Sequence, residues 1–227
     1  MIKVIAFDLW NTLIATTIDF PHLISLAKKD NLSLGEFIAK YENATHKKSF
    51  SSFEELKNAF FKEFEETNNK LLEKELYEVY INRVDKIILF PDVKENLIKL
   101  KKQGYTLVLV SNVENLAFND VNKVLNLEQY FDYFCLSYEI EAIKPDKKMF
   151  DCIIKKTSVL PSEVLMVGDS LRSDIFGAKN ARMHNCWINR PKKSYDLAKV
   201  TPEFEIKSFD ELYLVLDKLN ESKKIGV

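Results

Sequence analysis

The sequence predicts an α/β protein: a parallel sheet covered by helices on both faces, with a helical block inserted after the first strand. Three observations carry this. After Pro91, short and nearly all-apolar runs alternate with amphipathic helical stretches, the pattern of strands buried on both faces. From about Phe20 to Ile88 the chain has one glycine, one proline and repeated helical periodicity, with no strand signal. Finally, Asp8, Ser111-Asn112 and Asp169 stand at the ends of predicted strands, and ligands of open parallel sheets bind beyond the carboxyl ends of the strands.

Lys3 to Phe7 (KVIAF) reads as a buried strand that Asp8 stops. In the inserted block, Phe53, Leu56, Phe60, Phe61 and Phe64 recur at three- and four-residue steps, as do Leu71, Leu72, Leu76, Val79 and Tyr80. Ser51 and Ser52 offer an N-cap, with Glu54 and Glu55 favourably placed near the helix start. The block reads as about four helices, and the Phe-rich stripe from Phe50 to Phe64 as their core. Set over the strand ends, it would act as a lid. His22 and His46 lie within it and read as surface or packed residues.

Beyond the block, a helix from Asp92 to Lys102 ends at Gly104, and Tyr105 to Val110 (YTLVLV) is a buried strand stopping at Ser111. A helix to about Leu125 and a strand at Tyr133 to Leu136 follow. Helix Asp146 to Lys156 leads to strand Val164 to Val167, which stops at Gly168-Asp169. A helix from Asp174 to Arg182 precedes an apolar run around Cys186 to Ile188. Phe209 to Leu219 is an amphipathic helix, and the Lys-rich end frays.

Length and composition bound the function. The 227 residues suffice for one domain plus a modest insertion, and 46% hydrophobic with 30% charged content is that of a globular protein. A net charge of -1 provides no positive field to recruit nucleic acid or an anionic membrane surface. No apolar run approaches the roughly 18 residues of a membrane helix, and Val4 to Phe7 is too short for a signal peptide. Cys135, Cys152 and Cys186 are odd in number and match neither zinc-ligand nor disulfide spacing. They read as buried thiols, and a cytoplasmic location is expected.

The strand ends collect acids, a hydroxyl and a lysine rather than a histidine or cysteine nucleophile. Asp8 and Asp169, brought together, supply hard oxygen ligands suited to Mg²⁺, and a cation offsets their repulsion. Aspartate is a competent nucleophile toward phosphorus. Lys144 could place a positive charge beside the nucleophile and the transferring group. Ser111 and Asn112 add neutral donors for phosphate oxygens.

Taken together, these segments resemble the haloacid dehalogenase superfamily. Phe7-Asp8-Leu9-Trp10-Asn11-Thr12-Leu13 resembles its first motif, Val110-Ser111-Asn112 its second and Lys144-Pro145-Asp146 its third. Val167-Gly168-Asp169-Ser170-Leu171-Arg172-Ser173-Asp174, followed by Gly177-Ala178, resembles its fourth. The resemblance implies a Rossmann-like core of residues 1–15 and 89–227 with a helical C1-type cap at 16–88. It also implies Asp8 as nucleophile and metal ligand, and Asp169 as metal ligand. Asp174 would bind the metal directly, bind metal-bound water, or orient Lys144. Thr12, Ser111 and Lys144 would hold phosphoryl oxygens, and the backbone carbonyl of Trp10 would face Mg²⁺. The expected substrate is a small phosphorylated metabolite selected by the cap.

Position 10 departs from the family pattern. Family phosphatases carry an aspartate there as general acid to the leaving group, and tryptophan cannot transfer that proton. Such catalysis is typically worth roughly 10²- to 10⁴-fold. A slow enzyme, or a weak or inactive phosphate-binding relative, is therefore an alternative, with Asp19 or an acid of the cap as candidate substitutes. An aromatic at this position also resembles the true 2-haloacid dehalogenases. Those lack the acidic fourth motif and use an arginine early in the cap, whereas the first arginine here is Arg83.

Overall fold

The structure, a computed structural model, describes residues 1–16, 25, 28, 31–66, 69–82, 87–190 and 200–221. Its centre is β1 (Val4–Phe7), a four-residue strand with no exposed position. Flanking it are β4 (Thr106–Ser111) and β6 (Val164–Gly168), both parallel to it. With β5 (Tyr133–Leu136), β7 (His184–Ile188) and β8 (Phe204–Ile206) they form a six-stranded sheet in the order β5-β4-β1-β6-β7-β8, every pairing parallel.

Alternation along the strands divides the core in two. Ile5, Phe7, Leu107, Leu109, Leu165 and Val167 face one apolar layer, together with Leu97 of α4 (Val93–Lys102), Val121 of α5 (Asn115–Leu125) and Val215 of α9 (Leu212–Glu221). Val4, Ala6, Val108, Val110, Val164 and Met166 face the other, against Met149, Phe150 and Ile153 of α7 (Lys147–Thr157) and Ala178 of α8 (Phe176–Asn180). A short helix, α6 (Ser137–Ile140), follows β5 directly. Because sequence order reverses on either side of β1, the segments leaving β1, β4 and β6 meet at one edge, the crevice where such sheets bind ligands.

The chain leaves the sheet through β2 (Ile14–Thr16) and returns through β3 (Ile87–Leu89), and these two strands pair antiparallel. Between them lie α1 (Leu34–Thr45), α2 (Phe53–Glu63) and α3 (Lys70–Asn82). Ser33 caps α1 in a reciprocal box with Glu36, and Ser52 caps α2 by accepting from the Glu55 N–H. Phe37, Phe60, Phe64, Leu72 and Leu76 form a core of their own, as the aromatic stripe predicts, although Leu71 is exposed.

Some elements depart from expectation. The stretch read as free of strand ends in β3, whose three residues are too few to show periodicity and whose partner β2 lies about seventy residues earlier in the chain. The edge strand β8 gave no sequence signal either. The helix expected from Asp174 begins at Phe176; Leu171–Ile175 is a wide, five-residue turn that holds Asp174 inward. Most of the fourth expected helix, Asp19, His22, Arg83 and the Lys-rich end lie outside the described residues. Among the described residues, no helix is long and apolar enough to cross a membrane.

Candidate active site

Asp8 is the first residue beyond β1, and its N–H donates to the Val167 carbonyl at 3.0 Å, tying the nucleophile candidate to the neighbouring strand. The chain then turns sharply, with Asn11 left-handed at φ 57° and the Leu13 and Ile14 N–H groups both donating to the Leu9 carbonyl. That turn brings the Thr12 hydroxyl back to donate to Asp8 Oδ2 at 3.1 Å. Trp10 is half-buried and its side chain packs on the edge of the main core.

Lys144 is the hub of the site. Its buried ammonium donates to Asp8 Oδ1 at 2.6 Å, Asp174 Oδ1 at 2.6 Å and the Val110 carbonyl at 2.9 Å, using all three N–H bonds. Burial disfavours its charge, but the Asp174 and Asp8 carboxylates outweigh burial and hold the amine protonated well above the usual lysine range. Burial pushes Asp174 above the ordinary carboxyl range, against the pull of Lys144. Asp174 also accepts from the Ser170 N–H at 3.0 Å.

Asp8, Asp169 and Asp174 each offer a carboxylate oxygen, all within 4.8 Å of one another. Three carboxylates against one lysine leave excess negative charge in a partly dry site. An all-oxygen donor set of this kind fits a hard divalent cation such as Mg²⁺. Trp187 fixes the backbone here, its indole N–H donating to the Asp169 carbonyl at 2.8 Å.

Ser111 and Asn112 close the other side. Ser111 is fully buried at the end of β4, its hydroxyl 3.4 Å from the Asn112 carbonyl. The Asn112 amide, a candidate phosphate donor, here bridges two elements. Its Oδ1 accepts from the Lys144 N–H at 2.7 Å, and its Nδ2 donates to Glu42 Oε2 at 2.9 Å.

Glu42, on α1, is the residue that sequence reasoning missed. It matches no motif, and nothing in a helix of the insertion marks one of its many acids as facing the sheet. Burial raises its carboxyl to about 7, with Asp8 and Asp174 adding to the rise and the Asn112 bond and Lys144 opposing it. His46 at the end of α1 is packed and unionised, its pKa lowered by burial to about 3. Arg190 was also unanticipated: it donates to the Thr12 carbonyl at 3.0 Å and to Asp92 Oδ2 at 3.0 Å while stacking over Phe90. It thereby fastens the turn after Asp8 to the point where β3 re-enters the core.

Comparison with known proteins agrees with this arrangement. The family model described as haloacid dehalogenase-like hydrolase matches residues 5–188. A glyceraldehyde 3-phosphate phosphatase of Pyrococcus furiosus is 33% identical over 137 residues, 59% of this chain and 57% of its own length. A phosphoglycolate phosphatase of Vibrio vulnificus is 37% identical over 93 residues, 41% of this chain and 40% of its own. The chain thus spans little more than half of the first of these relatives. Among solved structures, a phosphatase of Thermococcus onnurineus is 28% identical with a TM-score of 0.65, covering 95% of this chain and 98% of that one. A 2-haloacid dehalogenase of Pseudomonas syringae is 25% identical with a TM-score of 0.64, covering 96% and 99%.

Proposed function

The chain belongs to the haloacid dehalogenase-like hydrolases, and from that premise we propose that it is a Mg²⁺-dependent phosphatase of a small phosphorylated metabolite. The observation that carries the reading is the Asp8–Lys144–Asp174 ion cluster beside Asp169, at the ends of adjacent parallel strands. Phosphatase relatives support the same reaction class.

In this reading Asp8 attacks phosphorus in line, forming an aspartyl-phosphate that water then hydrolyses. Lys144 aims one Asp8 oxygen and the Thr12 hydroxyl fixes the other, so the carboxylate meets substrate in one orientation. When phosphate binds, Lys144 would exchange one of its three bonds, and Thr12 and Ser111 would turn their hydroxyls, to donate to the phosphoryl oxygens. Asn112 contributes by holding the Lys144 backbone in place. Asp8, Asp169, Asp174 and the Trp10 carbonyl would hold Mg²⁺, which would neutralise the carboxylates and screen the phosphate charge from the attacking anion. In the same reading, residues 16–88 serve as the cap over a core of 1–15 and 89–227, and the protein works in the cytoplasm.

A dehalogenase has weaker support, because attack on carbon gives no use to three converging carboxylates. A non-catalytic phosphate binder draws on Trp10 alone. The deciding test is Mg²⁺-dependent phosphate release from an aryl phosphate and a panel of metabolite phosphates, with Asp8→Asn as control. Release by wild type and none by the variant is expected. Equal release from both would refute Asp8 as nucleophile.

A further inference from the structure

We propose that Glu42, reaching from α1 to the sheet edge, is the proton donor and acceptor of the hydrolysis, filling the role that Trp10 leaves open. The inference rests on the phosphatase reading above and adds a named residue from the opposite side of the crevice. Its geometric basis is the Glu42–Asn112 bond of 2.9 Å. Asn112 follows Ser111 and is itself bonded to the Lys144 backbone at 2.7 Å, so Glu42 stands one residue from the proposed phosphoryl site.

The position is fixed rather than accidental. At the start of α5 the Asn115 amide clasps the backbone of Phe50 in both directions. Its Oδ1 accepts from the Phe50 N–H at 2.8 Å and its Nδ2 donates to the Phe50 carbonyl at 2.9 Å. With Asn112 on Glu42, this gives two anchored points between the α1–α2 region and the segment after β4. Among the described residues, the charged groups felt by Glu42 are Lys144, Asp8 and Asp174. Those surroundings leave its carboxyl able to hold or release a proton near neutral pH, as a general acid-base group requires. A phosphate dianion arriving beside Asp8 would favour the protonated form, and the charge of Mg²⁺ arriving with it would offset that effect.

The proton balance closes over both steps. As the Asp8 oxygen forms its bond to phosphorus and the bond to the leaving oxygen breaks, the Glu42 carboxyl gives its proton to that oxygen, releasing an alcohol. Glu42 is then a carboxylate. It takes a proton from the water that attacks the aspartyl-phosphate, the Asp8–phosphorus bond breaks, and phosphate leaves with Glu42 protonated again.

The test compares wild type and Glu42→Gln on 4-nitrophenyl phosphate and phenyl phosphate with Mg²⁺. The rings are nearly the same size, but phenolate is as basic as a tyrosinate, about 10, and 4-nitrophenolate leaves without help. In kcat/KM, which reports steps up to aspartyl-phosphate formation, Glu42→Gln should stay within about threefold on the nitrophenyl ester and fall about 10²-fold on the phenyl ester. The decline of wild-type kcat/KM on phenyl phosphate as pH rises through neutrality should vanish in the variant. Acid-quenched variant should hold more phosphoenzyme, since the second step loses its base. Glutamine can still accept the Asn112 bond, and Glu42→Asp should recover part of the phenyl phosphate activity. Equal losses on the two esters, or none, would overturn the proposal while leaving the phosphatase reading intact. Failure of wild type on both esters and on every phosphate of the metabolite panel would overturn both readings.

Discussion

A Cβ built on Gly168 would lie 2.2 Å from Asp174 Oδ2. The last residue of β6 is thus glycine because the Asp174 carboxylate occupies the space of its missing side chain. That close approach sets Asp174 against Lys144 and within reach of Asp8 and Asp169. Gly168→Ala should push the carboxylate out of the cluster. Overpacking of this kind costs about 1–3 kcal/mol, and losing a ligand's placement weakens metal binding about 10- to 100-fold. Urea unfolding and a Mg²⁺ titration would measure the two effects. Unchanged Mg²⁺ affinity would mean that Asp174 does not serve the metal.

Lys144 makes a prediction of the opposite kind. Its removal in Lys144→Met leaves Asp8 and Asp174 facing each other without their shared cation, and breaking a buried ion pair in this way costs about 3–5 kcal/mol. The loss should be largest without Mg²⁺ and partly restored by it. It should also shrink as pH falls. Asp174 is already raised by burial, so the folded state takes up a proton at a pH where the unfolded chain has not. Urea melts at two pH values, with and without Mg²⁺, would check both trends.

The positions legible in the sequence were those whose placement follows from strand ends. Asp8, Ser111 and Asp169 each follow an apolar run, so the rule that ligands sit beyond parallel strands brings them together before any coordinates are known. Helices with a single apolar face, such as that of Phe60 and Phe64, were legible for the same reason. What stayed hidden depends on contacts distant in sequence. The ribbon of β2 and β3 is two three-residue strands that gain meaning only when paired. Glu42 bonds a residue seventy positions away, and Arg190 reaches back 178 positions to Thr12. Asn115 reads locally as the start of a helix, yet its side chain is spent on Phe50.

Trp187 illustrates the same point as a prediction. Its burial on β7 is what any core tryptophan shows, but its indole N–H holds the Asp169 carbonyl at 2.8 Å. Trp187→Phe keeps an aromatic ring and removes that donor. The expected result is Mg²⁺ affinity weakened about tenfold, as for other groups that orient a metal ligand. Isothermal titration against wild type would read it, and an unchanged dissociation constant would assign Trp187 to packing alone.

His46 and Glu42, both near the end of α1, predict opposing pH dependences of stability in the metal-free protein. His46 is unionised in the fold, its pKa lowered to about 3, and its Nδ1 lies 2.7 Å from the Thr45 hydroxyl. An unfolded histidine protonates near 6.5. Stability from its burial is therefore complete above about 6.5 and declines as pH falls toward 3, at about 1.4 kcal/mol per pH unit. Glu42 runs the other way. Its carboxyl is raised from 4.5 to about 7, so the folded state binds its proton first and gains stability as pH falls across that interval. The two trends offset each other where their windows overlap. Glu42→Gln should therefore lose stability on mild acidification more steeply than wild type, and His46→Gln should lose it less steeply. Chemical denaturation of all three proteins at pH 7.5 and 5 would reveal the ordering. Identical slopes would show that neither group changes its proton affinity on folding.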